Sequence, residues 1–399
     1  TTTSNLGALT TVTVAGSAGL TLAAANSATI TSVDASATSG KVTTVIDGDI
    51  ATYKGGSGVD TLTVDAGLTT TNVAKAITLG AGNDTITLGA TTIGAGTIDG
   101  GADTDTISIT AADAVNASGG TTFAGKVTNF EQLILTGATG PQTIDAAKLG
   151  NYNYVTVTAG AAGAAAGAAA TTTLTGLTSG ATIALNDAID GTNASDTIVA
   201  TIKDATLVAN TSDVLNIAIS AKPATAGTAG TADDNGTVTA AGVETINISV
   251  LDAVNEATVV GAPVGTKNKA ADTQNLTLQA TSAKTITITG DTALNLTNVG
   301  NTAVSLIDAS AMTAGLTVTA AGAVSSTITG GSGNDVLTAS ATLPVSAGTA
   351  EVQTMKITAG SSAAVGEIQT LTLSGISTGP VSFLGTAIAS SVATENASA

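Results

Sequence analysis

Short β-like runs recur from about residue 10 to residue 109, and most of them alternate threonine or serine with an aliphatic residue. The runs are Thr11-Val12-Thr13-Val14, Leu20-Thr21-Leu22, Thr29-Ile30-Thr31, Val42-Thr43-Thr44-Val45-Ile46, Thr61-Leu62-Thr63-Val64, Thr85-Ile86-Thr87-Leu88 and Thr106-Ile107-Ser108-Ile109. A period of two is the mark of a strand with one buried face. Gly, Asp and Asn punctuate these runs, and the rhythm resumes at Thr285. The pattern predicts an all-β chain with parallel β-helix or β-roll segments at 1–122 and 285–399. Between them, at 123–284, the register changes. Val127-Thr128-Asn129-Phe130-Glu131-Gln132-Leu133-Ile134-Leu135 and Gly242-Val243-Glu244-Thr245-Ile246-Asn247-Ile248 read as strands entering a different layer, echoed at Asn275-Leu276-Thr277-Leu278 and Ile368-Gln369-Thr370-Leu371-Thr372-Leu373. This region is expected to be a β-rich, sandwich-like middle domain. The Ala/Gly run at 159–170 reads as a loop, 222–236 as a long exposed loop, and 390–399 as a frayed end or linker.

The punctuation carries chemistry. Gly55-Gly56-Ser57-Gly58-Val59-Asp60-Thr61-Leu62-Thr63 and Gly330-Gly331-Ser332-Gly333-Asn334-Asp335-Val336-Leu337-Thr338 both fit G-G-x-G-x-D-x-U-x, with U a large apolar residue. Two looser copies exist. Leu79-Gly80-Ala81-Gly82-Asn83-Asp84-Thr85-Ile86-Thr87 lacks the first glycine, and Gly100-Gly101-Ala102-Asp103-Thr104-Asp105-Thr106-Ile107-Ser108 has aspartate in place of the third. Glycines permit φ > 0 and let carbonyls turn inward, the aspartate supplies charge, and the apolar residue opens a strand. A hard cation such as Ca²⁺ takes six to eight oxygens from such groups. The expected metal residues are therefore Gly56, Gly58, Asp60, Gly80, Gly82, Asp84, Gly101, Asp103, Asp105, Gly331, Gly333 and Asp335. Asp60, Asp84 and Asp105 are 24 and 21 residues apart. If one coil takes two strands, these aspartates stack along one edge and form a ladder of Ca²⁺ sites. A shorter cassette, V/I-D-A-x, recurs at Val33-Asp34-Ala35-Ser36, Val64-Asp65-Ala66-Gly67, Ile144-Asp145-Ala146-Ala147 and Ile307-Asp308-Ala309-Ser310, and reads as turn plus strand.

Composition narrows the function. The 399 residues include no His, Cys or Trp, only three Phe and three Tyr, and carry a formal charge of −18. A core of small β-branched and aliphatic side chains suits thin, repetitive β-architecture better than a compact enzyme. All basic residues are lysines, and with so negative a field nucleic-acid binding is disfavoured. Without cysteine no disulfide staples the chain. No apolar run is long enough to span a bilayer. The opening Thr1-Thr2-Thr3 falls mid-pattern and lacks an initiating Met or a leader, so the chain reads as a fragment of something longer.

Catalytic arrangements fail one by one. Histidine and thiolate chemistry is excluded by composition. No S-x-x-K occurs, and neither full nonapeptide ends in the Lys-Ser/Thr of a phosphate loop. Asp103 and Asp105, the nearest thing to a glycosidase pair, sit inside a metal repeat. The chain is read as not an enzyme. T-x-T runs are read as strand alternation rather than an ice-binding array.

With the nonapeptides, the I-D-A-S cassettes, the N-F-E-x-L and G-V-E-T-I strands and the Ala/Thr/Gly bias in view, the chain resembles RTX-type bacterial surface-layer proteins, whose nonapeptide binds Ca²⁺. The segment from Ser305-Leu306-Ile307-Asp308-Ala309-Ser310 through residue 338 carries the likeness most closely. The resemblance implies type I secretion, folding on Ca²⁺ outside the cell, an extracellular location at the cell surface, and self-assembly into a two-dimensional homo-oligomeric lattice. A cell-surface polysaccharide is the implied anchoring partner. The alternative is a calcium-stiffened segment of an RTX adhesin, a binding module that stays monomeric in Ca²⁺.

Overall fold

The computed structural model describes residues 9–22, 28–64, 72–89, 93–137, 141–150, 152–158, 171–186, 197–207, 210–221, 233–252, 273–321, 327–340, 356–358 and 370–374. The chain divides into two compact units, Thr1–Ala164 with Ala170–Ala181, and Ala165–Ala169 with Thr182–Ala399.

In the first unit the strands run β1 (Thr11–Gly16), β2 (Leu20–Thr21), β3 (Ser32–Thr38), β4 (Val42–Ile46), β5 (Thr52–Lys54), β6 (Thr61–Val64), β7 (Ala76–Thr78), β8 (Thr85–Leu88), β9 (Thr97–Asp99) and β10 (Thr106–Thr110). Two helices follow, α1 (Ala111–Ser118) and α2 (Thr122–Lys126), then β11 (Val127–Thr128), β12 (Gln132–Thr136), β13 (Gln142–Asp145), α3 (Ala146–Leu149), β14 (Tyr154–Thr158) and β15 (Thr171–Leu177). Odd strands pair with odd and even with even. Every described pairing is parallel, so the chain winds as a parallel β-helix.

The alternation seen in the sequence explains the winding. In register, Val33, Tyr53, Ile77, Ile98 and Val127 stack on one wall, and Leu62, Ile86, Ile107, Leu133 and Val155 on the other. All ten are buried, while the threonines beside them, such as Thr61, Thr63, Thr85 and Thr87, are half-buried or exposed, and Thr156 is buried. Parallel strands lie about 4.8 Å apart, so each aliphatic side chain rests on its counterpart one coil away. The helices interrupt this rhythm. Thr110 Oγ1 accepts the Asp113 amide at 3.1 Å and caps α1, diverting the chain before β11. Ala111, Ala114, Ser118, Phe123, Ala146 and Leu149 are the buried helix residues.

The second unit repeats the scheme with β16 (Thr182–Asn186), β17 (Thr197–Ile202), β18 (Val214–Ala221), β19 (Asp233–Ala240), β20 (Thr245–Asp252), β21 (Thr273–Gln279), β22 (Thr285–Gly290) and β23 (Ala293–Asn298). It continues with β24 (Leu306–Met312), β25 (Leu316–Ala321), β26 (Thr327–Thr329), β27 (Val336–Ser340), β28 (Lys356–Thr358) and β29 (Thr370–Ser374). Leu215, Ile246, Ile286, Ile307 and Ile328 form one buried column.

The all-β, parallel β-helix expectation holds. The sandwich-like middle does not: within 123–284 the described strands pair in parallel like the rest. The change of register there comes from the α1–α2 insertion, after which Glu131-Gln132-Leu133 resumes the helix in the next coil. The exposed loop expected at 222–236 is also corrected at its end. Asp233–Ala240 is a strand, in which Asn235 is buried and donates to Gln274 Oε1 at 2.9 Å. Residues 222–232, the run at 159–170 and the tail at 390–399 lie outside the described residues. No helix among the described residues is long and apolar enough to cross a membrane.

Two of the V/I-D-A-x cassettes share a local structure. In both β3 and β24 the ladder to the preceding coil slips by one residue after the aspartate. Asp34 Oδ1 accepts the Ser36 amide at 3.0 Å, and Asp308 Oδ1 accepts the Ser310 amide at 3.0 Å. The bulge exposes Ser36 with Ala37, and Ser310 with Ala311, before Thr38 and Met312 turn back inward. The third cassette becomes the β13–α3 junction, and Asp65 lies outside the described residues.

Candidate metal centre

The nonapeptide turns link β5 to β6, β7 to β8 and β9 to β10, so three successive coils place them on one flank of the first unit. The aspartates are buried, at 1%, 1% and 0% exposure for Asp60, Asp84 and Asp105. They form a ladder. The Asp60 amide donates to Asp84 Oδ1 at 2.6 Å, and the Asp84 amide to Asp105 Oδ1 at 2.8 Å. The Asp105 amide donates to Glu131 Oε2 at 2.8 Å. At the other end Asp60 Oδ1 accepts the Val42 amide at 2.8 Å. The stacking inferred from the 24- and 21-residue spacings is therefore present.

Glycine is needed here for two different reasons. At Gly56 a Cβ would lie 2.0 Å from Thr38 O, and at Gly331 2.0 Å from Met312 O, so close approach of the neighbouring coil excludes any side chain. Neither residue has positive φ, so the φ > 0 that glycine permits is not what these two positions use. At Gly101 both reasons act: φ is +106° and a Cβ would meet Gly80 O at 1.9 Å. Gly58, Gly80, Gly82 and Gly333 also pack against backbone of the adjacent turn.

The remaining expected residues are placed as follows. Asp335 is fully buried and its Oδ1 accepts the Leu316 amide at 2.8 Å, the same contact Asp60 makes with Val42. It stands with Gly331 and Gly333 between β26 and β27 in the second unit, apart from the three-turn ladder. Asp103 faces solvent at φ +82° and accepts the Gly82 amide through Oδ2 at 3.1 Å. It braces the turn from outside and is not a member of the buried row.

Electrostatics set Asp84 and Asp105 apart. Burial, then the charges of Asp60, Asp105 and Asp103, pushes the Asp84 carboxyl up to about 7. Burial, then Glu131, Asp103 and Asp99, pushes Asp105 up to about 6. In both cases one backbone amide offsets part of the rise. The Oδ2 atoms of both residues are buried with no hydrogen-bond partner. Such oxygens are costly to bury unless something compensates them.

Asp60 differs. Its Oδ2 accepts the Tyr53 hydroxyl at 2.9 Å, and burial together with the Asp60 charge raises the Tyr53 phenol above its ordinary value. At the equivalent point before the other three turns the chain has Ile77, Ile98 and Ile328. Tyr53→Phe would leave a buried carboxylate oxygen without its donor. It is expected to lower stability in chelator by about 1–3 kcal/mol, read from urea denaturation midpoints; an unchanged midpoint would show that the phenol contributes nothing.

The donor set suits a hard cation. It is all oxygen, with no imidazole or thiolate in the chain. Among the described residues no three carboxylates gather at one point, so each ion would take one or two carboxylates and complete its shell from backbone carbonyls and water. The partnerless Oδ2 atoms of Asp84 and Asp105, within glycine turns too tight for a Cβ, fit that requirement; Asp60, with both oxygens engaged, fits it less well. Sequence reasoning missed Tyr53 and Glu131. Glu131-Gln132-Leu133 occupies the D-x-U place of Asp105-Thr106-Ile107 one coil later, and that three-residue pattern was the available signal. No protein-family model and no curated protein matches this chain.

Proposed function

We propose that this chain is a calcium-stabilised structural protein of the cell exterior, which folds on Ca²⁺ and assembles into a two-dimensional layer with copies of itself. The observation that carries the calcium half is the pair of buried carboxylates, Asp84 and Asp105, each with one oxygen lacking any partner inside stacked glycine turns. A divalent cation beside them would neutralise charge that burial otherwise penalises, with Asp60 and the carbonyls of the turn glycines as further oxygens of the same turns; Asp335 would serve a separate site in the second unit. Binding to the folded state alone adds stability by mass action, and millimolar Ca²⁺ outside cells suits sites of this modest charge.

The layer half rests on the likeness of the motifs to RTX surface-layer proteins and on the architecture that carries them. Parallel coils present outward rows of threonine along the described sheets. Electron microscopy of the purified chain at millimolar Ca²⁺ and after excess chelator, with circular dichroism in parallel, tests both halves. Ordered arrays that disperse in chelator with loss of the β-signal are expected. Monodisperse particles whose spectrum still collapses in chelator would replace the layer by an adhesin segment. A spectrum indifferent to chelator would remove calcium from the account.

A further inference from the structure

We propose that Asp213 and Glu244, in the second unit, form a divalent-cation site that none of the glycine nonapeptides marks. It shares the chemistry proposed for Asp84 and Asp105 but stands on separate residues. Asp213 lies just before β18 and Glu244 just before β20, one coil later. The Asp213 amide donates to Glu244 Oε2 at 3.0 Å, and Asp213 O accepts the amides of Glu244 at 3.2 Å and Thr245 at 3.0 Å. Asp105 and Glu131 make the same three contacts. The Asp105 amide donates to Glu131 Oε2 at 2.8 Å, and Asp105 O accepts the amides of Glu131 at 3.2 Å and Gln132 at 3.0 Å. The local sequences agree in type, Asp213-Val214-Leu215 with Asp105-Thr106-Ile107 and Glu244-Thr245-Ile246 with Glu131-Gln132-Leu133. The G-V-E-T-I and N-F-E-x-L strands thus acquire a common role: each brings a carboxylate to the amide of an aspartate one coil earlier.

The second observation is the orphaned oxygen. Asp213 is 3% exposed, and its Oδ2 is buried without a hydrogen-bond partner. Among the described residues no lysine pairs with Asp213 or Glu244. The chain shows how a purely structural turn is built. Asn301, fully buried ahead of β24, accepts the Ala280 amide through Oδ1 and donates to Leu278 O at 2.9 Å. A neutral amide there satisfies both ends of the side chain. A carboxylate at 213 leaves one oxygen bare, which is unfavourable unless a cation meets it. Access exists on the Glu244 side, where Glu244 lines an open cleft of about 420 Å³ with Thr206, Leu207, Asn210, Thr211 and Ser282. Asp213 itself is not part of that lining, so the cleft offers a way in from Glu244, with water and the hydroxyl and amide groups of its walls to complete a shell; Ca²⁺ is the probe of choice for an all-oxygen set.

The test is the number of Ca²⁺ ions bound per full-length chain, by equilibrium dialysis, in four proteins: the wild type, Asp213→Asn, Glu244→Gln, and the double variant Asp84→Asn with Asp105→Asn. Glu244→Gln keeps an acceptor oxygen for the Asp213 amide, both single changes conserve side-chain size, and circular dichroism checks each fold. The expected result is one ion fewer in Asp213→Asn and in Glu244→Gln, with that ion retained in the double variant. Full occupancy in folded Asp213→Asn and Glu244→Gln, alongside loss in the double variant, overturns this site and leaves the first unit's sites standing. The reverse pattern supports this site and overturns the other. Should Asp213→Asn not fold, Glu244→Gln decides alone. A wild type that binds no Ca²⁺ overturns both.

Discussion

In excess chelator, stability against urea is expected to fall as pH rises from about 4 to about 7, and millimolar Ca²⁺ is expected to abolish the fall. The sign follows from the raised carboxyls. In the folded chain Asp84 holds its proton up to about 7 against an ordinary value of 3.8, and Asp105 up to about 6. Between those limits the folded state binds more protons than the unfolded one, so stability is fully present below the unfolded value and is lost as pH climbs through the folded one. For Asp84, buried to 1% exposure, a rise from 3.8 to about 7 corresponds to about 4 kcal/mol at 1.36 kcal/mol per unit. Asp105 adds less, and because the two interact their sum is an upper bound. A bound cation makes the ionised form the favoured one, which removes the slope. A flat profile in chelator, or a slope that Ca²⁺ leaves untouched, would separate these carboxylates from calcium altogether.

The second large effect concerns the turn itself. Gly101→Ala must place a methyl 1.9 Å from Gly80 O while holding φ at +106°. Left-handed backbone costs a non-glycine residue about 1–2 kcal/mol, and forced overpacking about 1–3 kcal/mol. A loss of about 2–5 kcal/mol in folding free energy is therefore expected from these two terms together. Gly120→Ala is the control, because a Cβ there meets nothing within 4 Å and φ is not positive. Its effect should stay within about 0.5 kcal/mol. Equal stability of the two variants would mean that neighbouring turns do not stack as described.

The winding of the chain was legible because two independent periods agreed. Alternation in Thr61-Leu62-Thr63-Val64 and Thr85-Ile86-Thr87-Leu88 marked the strands, and the spacing of Asp60, Asp84 and Asp105 measured the coil. Helices α1 and α2 were hidden. Ala111-Ala112-Asp113-Ala114 follows strand β10 without a glycine or proline break, and alanine and serine are too common throughout to make a helical stripe stand out. The capping pair Thr110 and Asp113 was the one local clue. The sandwich-like middle arose from treating Phe130-Glu131-Gln132-Leu133 as a new layer, when only the coil before it had lengthened. Tyr53 was invisible as a partner of Asp60 because the contact depends on a phenol reaching from strand to turn inside the coil, which no linear pattern encodes. The glycines of the full repeats were found, but the reason for them was a neighbouring carbonyl about 20 residues away.

The ladder also gives the stack a polarity. Asp60, Asp84, Asp105 and Asp213 each donate their amide to a carboxylate later in the chain, never earlier. Cut between two such coils, the upstream piece ends in an open N–H donor and the downstream piece begins with a free anion. The broken faces are complementary to each other and not to themselves: two downstream faces meet anion to anion and repel. Pieces of this chain split at 61–84 or 85–105 should consequently rejoin head to tail in a single orientation, with the carboxylate rows selecting the order of the coils.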